Sequence, residues 1–196
     1  MTKPLELTAW GGDGERALLV DGRLEVEAVY RHYAEDVTRW AARLSGRPSD
    51  AWDITHEVFW VVQRRLGEFS EREGTLSTWL FRITANVVRS HRRRERLRSW
   101  FFVEDDGHSS EEVAAGALDP EASALAQDDA RLVYRVLDRL SEVDRSLLVL
   151  FELEGFSGER VAELLGLKSS TIWVRLHRAR QRFLSKLKAV EPEATA

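Results

Sequence analysis

Residues 154–180 read EGFSGERVAELLGLKSSTIWVRLHRAR. Ser157 stands where a helix N-cap accepts a backbone N–H. Glu159 falls in the first turn, where the helix dipole favours an acid. Gly166 follows the short apolar run and suits the left-handed end of a helix. Beyond the turn Leu167–Ser170, the residues Ile172, Leu176, Ala179, Phe183 and Leu187 recur at helical spacing, which predicts a long amphipathic helix. Ala162 is small where the two helices cross. Val161, Leu165, Leu167, Ile172 and Leu176 supply a core between them. A capped short helix, a glycine turn and a long helix make a helix-turn-helix.

The second helix is basic. Lys168, Arg175, Arg178, Arg180, Arg182, Lys186 and Lys188 fall within residues 168–188, with no Asp or Glu. With Ile172 and Phe183 turned inward, about 100° per residue sends Ser170, Val174, His177, Arg178 and Gln181 outward. Thr171 flanks that arc and Arg175 lies at its side. Such a helix enters a DNA major groove with its N-terminal residues at the base edges. Arg180, Arg182, Lys186 and Lys188 are then expected on phosphates. A solvated basic helix on a protein-binding domain is the plainer reading. Cap, glycine turn and core spacing together favour DNA.

Working outward, the charge is divided along the chain. The 196 residues carry a formal net charge of -4, and 43% are apolar, enough for a packed core. Residues 101–130 hold nine acids and no Lys or Arg. Residues 23–100 hold fifteen bases against eleven acids, and 131–188 twelve against seven. Two basic blocks flanking an acidic, Ala-, Gly- and Ser-containing stretch predict two modules and a linker, within which Ala114 to Ala117 and Ala122 to Ala126 read as locally helical. The expected divisions are an N-terminal extension at 1–22, a helical domain at 23–100, an acidic flexible linker at 101–129, a helix-turn-helix domain at 130–190 and a tail at 191–196. The fold class is all-α.

The first block predicts three helices. Leu24, Ala28, Tyr33 (or His32), Val37, Trp40 and Leu44 mark the first. Asp50 is placed to cap the second, with Ile54, Val58, Val61, Val62 and Leu66 on one face. Thr75 starts the third, whose inner face is Leu76, Leu80, Ile83, Thr84 and Val87. Well round from that face, Arg82, Asn86, Arg89 and Arg93 form one polar ridge. The aromatics Trp52, Phe59, Trp60, Phe69, Trp79, Phe81 and Trp100 suit stacking on unpaired bases, although aromatics at helical spacing are more often core, Trp79 among them. In the second block, Leu132, Val136, Leu137 and Leu140 mark one helix. Leu147, Leu148 and Phe151 mark the next, ending at Gly155.

Other chemistries find little support. Without cysteine there is no disulfide, thiolate nucleophile or cysteine zinc site. The five histidines are scattered, and HEVFW at 56–60 is not the zinc pattern His-Glu-x-x-His. No phosphate loop or nucleophile elbow occurs. The reading is a non-enzyme with no catalytic residue, metal or cofactor. No signal peptide or membrane-length apolar run is seen, so a cytoplasmic protein without membrane insertion is expected.

LSEVDRSLLVLFELEGFSGERVAELLGLKSSTIWVRLHRAR, residues 140–180, is similar to the fourth conserved region of the extracytoplasmic-function sigma factors of bacterial RNA polymerase. DITHEVFWVVQRRLGEFSEREGTLSTWLFRITANVVRSHRRR, residues 53–94, resembles their second region, most strongly from Thr78 to Arg94. The resemblance implies a factor that binds core RNA polymerase and directs promoter-specific initiation. It implies polymerase contacts at Asp53, Glu57 and Phe59. It implies −10 recognition by Arg82, Asn86, Arg89 and Arg93 with the loop FSEREGTLST at 69–78. It implies −35 recognition by Ser169, Ser170, Thr171, Val174, Arg175, His177 and Arg178. Its partners are core polymerase and promoter DNA, with an anti-sigma factor as a candidate third. The chain departs from the family pattern at Trp52, His56, Arg160, Trp173 and Val174. Arg160 replaces a common Glu and gives up a capping box. Trp173 is expected to pack on the flank of its own domain near Leu184. A helix-turn-helix regulator with an N-terminal sensing domain is the alternative, which the basic run at 89–98 disfavours.

Overall fold

A computed structural model of the chain describes residues 19–20, 23–70, 74–101 and 120–190. All of the N-terminal extension except residues 19–20, most of the linker, the middle of the 69–78 loop and the tail lie outside them. Two short strands, β1 (Leu19–Val20) and β2 (Arg23–Leu24), pair antiparallel ahead of the helices. Among the described residues every regular element after them is helical: α1 (Val26–Ser45), α2 (Ala51–Arg65), α3 (Leu76–Phe101), α4 (Pro120–Asp138), α5 (Glu142–Leu148), α6 (Gly158–Leu165) and α7 (Ser169–Val190). No helix among the described residues is long and apolar enough to cross a membrane.

The first module packs α1, α2 and α3 around the stripes expected from spacing. Trp40 is fully buried and meets Phe81 edge-on, with ring centroids 5.3 Å apart. Ile54, Val58, Val62, Leu76, Leu80 and Val87 complete this core. Trp79 belongs to it too, against Phe69. Thr75 caps α3 by accepting the Thr78 amide at 3.2 Å. Asp50 does not cap α2. It sits in a 3₁₀ turn, Pro48–Asp50, in which its backbone is already helical, and its side chain makes no cap bond.

In the second module Ser141 caps α5 and Ser157 caps α6, each accepting the amide three residues on. Gly166, at φ 64°, closes α6 as the sequence predicts. Ile172, Leu176 and Ala179 of α7 are buried against Val161, Ala162 and Leu164 of α6. Between α5 and α6 the helix widens into a π turn, Val149–Leu153. α4 begins ten residues before residue 130, within the stretch read from sequence as linker. Composition there is acidic, but its alanines are good helix formers.

The sequence reading joins the modules only through the linker, whereas the structure packs them against each other, with one apolar cluster running through both and polar contacts across the joint. Arg145 of α5 is 1% exposed. It donates from Nε to the Leu44 carbonyl at 2.8 Å and from Nη1 to Asp138 at 2.6 Å. Burial, and then the neighbouring Arg92, pull its guanidinium down to about 10 against the pull of Asp138, so it stays charged at neutral pH. Gly46 ends α1 at φ 77°, and a Cβ there would stand 2.6 Å from Arg145 Nη2. Arg92 of α3 adds a bond to Asp138 at 3.0 Å. A second contact follows the π turn: Glu154, its side chain 3% exposed, accepts from Arg43 at 2.7 Å and from Arg39 at 3.1 Å. The third joins α6 to the start of α3. Arg160 donates to Ser77 Oγ at 2.6 Å and to Thr78 Oγ1 at 3.0 Å, while Thr78 donates to Glu163 at 2.6 Å.

Candidate nucleic-acid interface

The face of α7 expected to read duplex DNA is open. Ser169, Ser170, Thr171, Val174, Arg175, His177 and Arg178 are all exposed, with Ser170, Val174, His177 and Arg178 turned away from the buried Ile172, Leu176 and Ala179. Thr171 spends its hydroxyl on the Lys168 carbonyl at 2.8 Å, which tightens the start of the helix. Arg175, His177 and Arg178 are exposed and make no ion pair with any described residue. Two bases expected on phosphates are engaged within their own module: Arg180 pairs with Glu152 at 2.7 Å and Arg182 with Asp144 at 2.8 Å. Lys188 stays exposed and Lys186 is half-buried.

Trp173 packs on its own module, but against Phe151 and Gly158 rather than Leu184. Its ring centroid lies 5.5 Å from that of Phe151, and a Cβ on Gly158 would stand 3.1 Å from it. Gly158 is the first residue of α6, so the ring braces the N-terminus of α6 against α7. It remains 60% exposed beside the reading face.

On α3 the four ridge residues Arg82, Asn86, Arg89 and Arg93 all reach solvent, while Leu80, Ile83 and Val87 turn inward. Arg89 donates to the Asn86 side-chain oxygen, which orders the middle of the ridge. Arg82 donates to the Glu163 carbonyl of α6 at 3.2 Å. The ridge therefore starts against the second module.

The third surface lies on α2. Asp53 is exposed, and Glu57 beside it pairs with Arg94 at 2.8 Å. Phe59 is not on this face. It is 7% exposed and packs edge-on against Tyr30, with centroids 4.7 Å apart, because it points toward the Val58–Val62 core. What the outer face carries instead is a row of one residue per turn: Trp52, His56, Trp60 and Arg64. Trp52 and Trp60 are 55% and 54% exposed. Trp52 meets His56 edge-on at 4.6 Å, and Arg64 stacks 3.5 Å over the Trp60 ring. The four-residue spacing of these aromatics is visible in the sequence, although the resemblance draws attention to Phe59 instead.

Other side chains escape a sequence reading because their partners lie far along the chain. Arg160, Glu163 and Glu154 read as surface charges, yet each bonds to the other module. Burial pushes the Glu163 carboxyl up, but the Thr78 hydroxyl and the Arg160 guanidinium outweigh it and hold it below the usual range. Among the described residues no cluster of His, Asp and Glu is arranged to hold a metal ion.

Comparison with known proteins places both modules. Residues 29–98 match the family described as Sigma-70 region 2, and residues 130–183 match Sigma-70, region 4. The chain is 36% identical over 159 residues to the ECF RNA polymerase sigma factor SigE of Mycolicibacterium smegmatis, covering 79% of this chain and 58% of that protein. It thus spans under two thirds of that relative's length. It is 30% identical over 149 residues to the RNA polymerase sigma-H factor of Pseudomonas aeruginosa, covering 74% of this chain and 77% of that protein. Among solved structures, it superposes with a TM-score of 0.56 on the sigma factor RpoE crystallised with the anti-sigma factor NepR from Bartonella quintana. That match has 23% identity and covers 83% of this chain and 96% of that one. CnrH, solved in complex with the cytosolic domain of CnrY, gives 0.53 at 22% identity, over 84% of this chain and 88% of that one. With region 2 where the alternative reading needed a sensing domain, and region 4 on the helix-turn-helix, the chain belongs to the extracytoplasmic-function sigma factors of bacterial RNA polymerase.

Proposed function

We propose that this chain docks on core RNA polymerase through the outer face of α2 and directs initiation by reading two promoter elements with two helices. Asp53 and Glu57 supply the acidic part of the polymerase contact, and the exposed rings of Trp52 and Trp60 supply its apolar part. Exposed tryptophans beside charged residues are the side-chain types that dominate protein interfaces. Arg82, Asn86, Arg89 and Arg93 act on the −10 element. Ser169, Ser170, Thr171, Val174, Arg175, His177 and Arg178 read the −35 element in the major groove, where Arg can grip guanine with two donors. The observation that carries this reading is that α3 and α7, from the two matched regions, each expose a polar face opposite a buried apolar stripe.

In this role the protein does no chemistry of its own, needs no cofactor and works in the cytoplasm, where the polymerase is. An anti-sigma factor is a further partner, in keeping with RpoE and CnrH, which were solved bound to other proteins. The test is run-off transcription with core polymerase on fragmented genomic DNA of the source bacterium, with and without the chain. Start sites that require the chain and share sequence at −10 and −35 are the expected result. Transcripts unchanged by the chain would remove the proposal.

A further inference from the structure

We infer that Val174, with the γ-methyl of Thr171 beside it, selects a thymine in the −35 element by its C5-methyl group, within about two base pairs of the guanine gripped by Arg178. This rests on the −35 reading of α7 proposed above.

Val174 has no duty in the fold. It is the sixth residue of α7 and is 53% exposed, while the buried stripe of that helix runs through Ile172, Leu176 and Ala179. A β-branched residue is also a poorer helix former than Ala, Gln or Arg at such a position. Its neighbours on the helix surface, one turn before and one turn after, are Ser170, Thr171, His177 and Arg178. All four are exposed. The hydrocarbon therefore stands at the centre of a ring of hydrogen-bonding groups, on the arc turned away from the core.

Thr171 enlarges the patch. Its hydroxyl donates to the Lys168 carbonyl at 2.8 Å, so no hydroxyl proton is left for a base, and its γ-methyl is the part that remains to add to Val174. Ser170, Thr171 and Val174 are all short. A short side chain touches a base edge only where the helix itself lies deep. No long side chain on that arc props the N-terminal end of α7 away from the groove floor. Arg178, one turn further on, is long enough to reach a base from a shallower point.

The major groove offers such a patch one matching group. Thymine alone among the four bases presents a methyl there. Opposite cytosine, the same patch would cover the exocyclic N4 amine without accepting its hydrogen bond, which costs free energy. Selection therefore has two parts: apolar contact in favour of thymine, and a stranded donor against cytosine. At roughly 1.5 Å of rise per residue, Val174 and Arg178 are about 6 Å apart along α7. Stacked base pairs are about 3.4 Å apart, which places the thymine within about two base pairs of the guanine.

Base analogues isolate the methyl. Exchanging thymine for deoxyuridine removes the C5-methyl and nothing else. Holoenzyme assembled from core polymerase and the full chain is titrated, by competition, with a promoter found by run-off in which each −35 thymine, on either strand, is replaced singly by deoxyuridine. One position, or two adjacent ones, should lose about threefold to fivefold in affinity, the worth of one methyl returned to water. With Val174→Ser that penalty should vanish. With Thr171→Ser, which keeps the hydroxyl for Lys168, it should shrink. Arg178→Ala should keep it, because its own loss falls on the guanine. All three positions are exposed, and a melt of each variant checks that the module stays folded. With cytosine at the sensitive position, 5-methylcytosine should recover affinity for wild type and not for Val174→Ser. A −35 element in which no thymine responds to deoxyuridine would overturn the assignment. So would a penalty that Val174→Ser leaves unchanged, since that penalty would belong to the DNA itself. One that Thr171→Ser leaves unchanged would remove Thr171 from the patch. Transversions throughout the −35 element mark the other kind of failure. If they leave wild-type binding and initiation untouched, the −35 reading of α7 falls. If they abolish binding while deoxyuridine has no effect, only the methyl contact does.

Discussion

At the scale of single residues, the roles proposed for α7 separate readers from holders. Arg178 is exposed on the reading face, while Lys186 is half-buried two turns further on. Arg178→Ala should lose discrimination between −35 sequences by about 1–3 kcal/mol, the worth of a bidentate grip on guanine. Lys186→Ala should weaken binding to all sequences alike and lower the salt slope by at most about one unit. A competition assay across −35 variants at two salt concentrations distinguishes the two, and equal loss across all sequences for Arg178→Ala would remove its assignment as a reader. Trp173 shows what residue spacing can and cannot convey. Its flanking position is legible from the helical wheel, but its partners Phe151 and Gly158 belong to other elements and are not. With about 40% of its surface covered, Trp173→Ala should cost about 1–2 kcal/mol by area, read as a lower Tm. A shift in −35 preference larger than that for Lys186→Ala would show that its exposed edge also touches DNA. Phe59 teaches the converse. A role carried over by resemblance put it on the surface, while the Ile54–Val58–Val62 stripe already marked where the core lay.

At the scale of elements, helix ends were legible where the cap is local and hidden where the backbone changes course. Ser157, Thr75 and Gly166 act as spacing predicts. Asp50 does not, because Pro48 starts a 3₁₀ turn that makes its backbone helical too early. The glycines that end α1 and the π turn allow a direct measurement of the joint between modules. Gly46 and Gly155 both have positive φ, 77° and 68°. A Cβ at Gly155 would meet nothing within 4 Å, whereas one at Gly46 would stand 2.6 Å from Arg145 Nη2. Gly155→Ala should therefore cost only left-handed strain, about 1 kcal/mol. Gly46→Ala should cost about 2–4 kcal/mol, because it also displaces a buried charge from its carbonyl and carboxylate partners. Denaturant melts of the two variants give the difference, and equal costs would mean that Arg145 is not held as described. The α3 ridge should behave in the opposite way. Arg89 and Arg93 are exposed and lie off the buried stripe, so Arg89→Ala with Arg93→Ala should leave stability within about 0.5 kcal/mol of wild type while run-off transcription falls and polymerase binding persists. A lost thermal transition would mark the ridge as structural.

At the scale of the whole molecule, what the sequence could not convey is how the modules meet. Arg145, Arg92 and Glu154 look like surface charges until a partner about a hundred residues away, or on another helix, covers them. The tether between the modules, by contrast, is legible as composition and length. Residues 102–119 separate α3 from α4 and carry six acids with no Lys or Arg. Fully extended they reach roughly 60 Å. Beyond Arg82, α3 carries the chain roughly a further 28 Å, and α4 spans about the same. The total, roughly 115 Å, exceeds the roughly 85 Å of duplex between elements centred about 25 base pairs apart. Deleting residues 104–118 leaves roughly 10 Å of tether and a reach of roughly 65 Å, which is too short. The shortened chain should still fold and still bind core polymerase through the proposed α2 face, yet lose run-off transcription from promoters that need both elements. Replacing the same residues with a Gly-Ser stretch of equal length separates reach from charge. That variant should keep transcription. It should also bind non-promoter DNA more tightly, with a steeper salt dependence, because the acids that repel phosphate are gone. If the Gly-Ser chain is as inactive as the deletion, the acidic residues themselves, and not the span they provide, are what initiation requires.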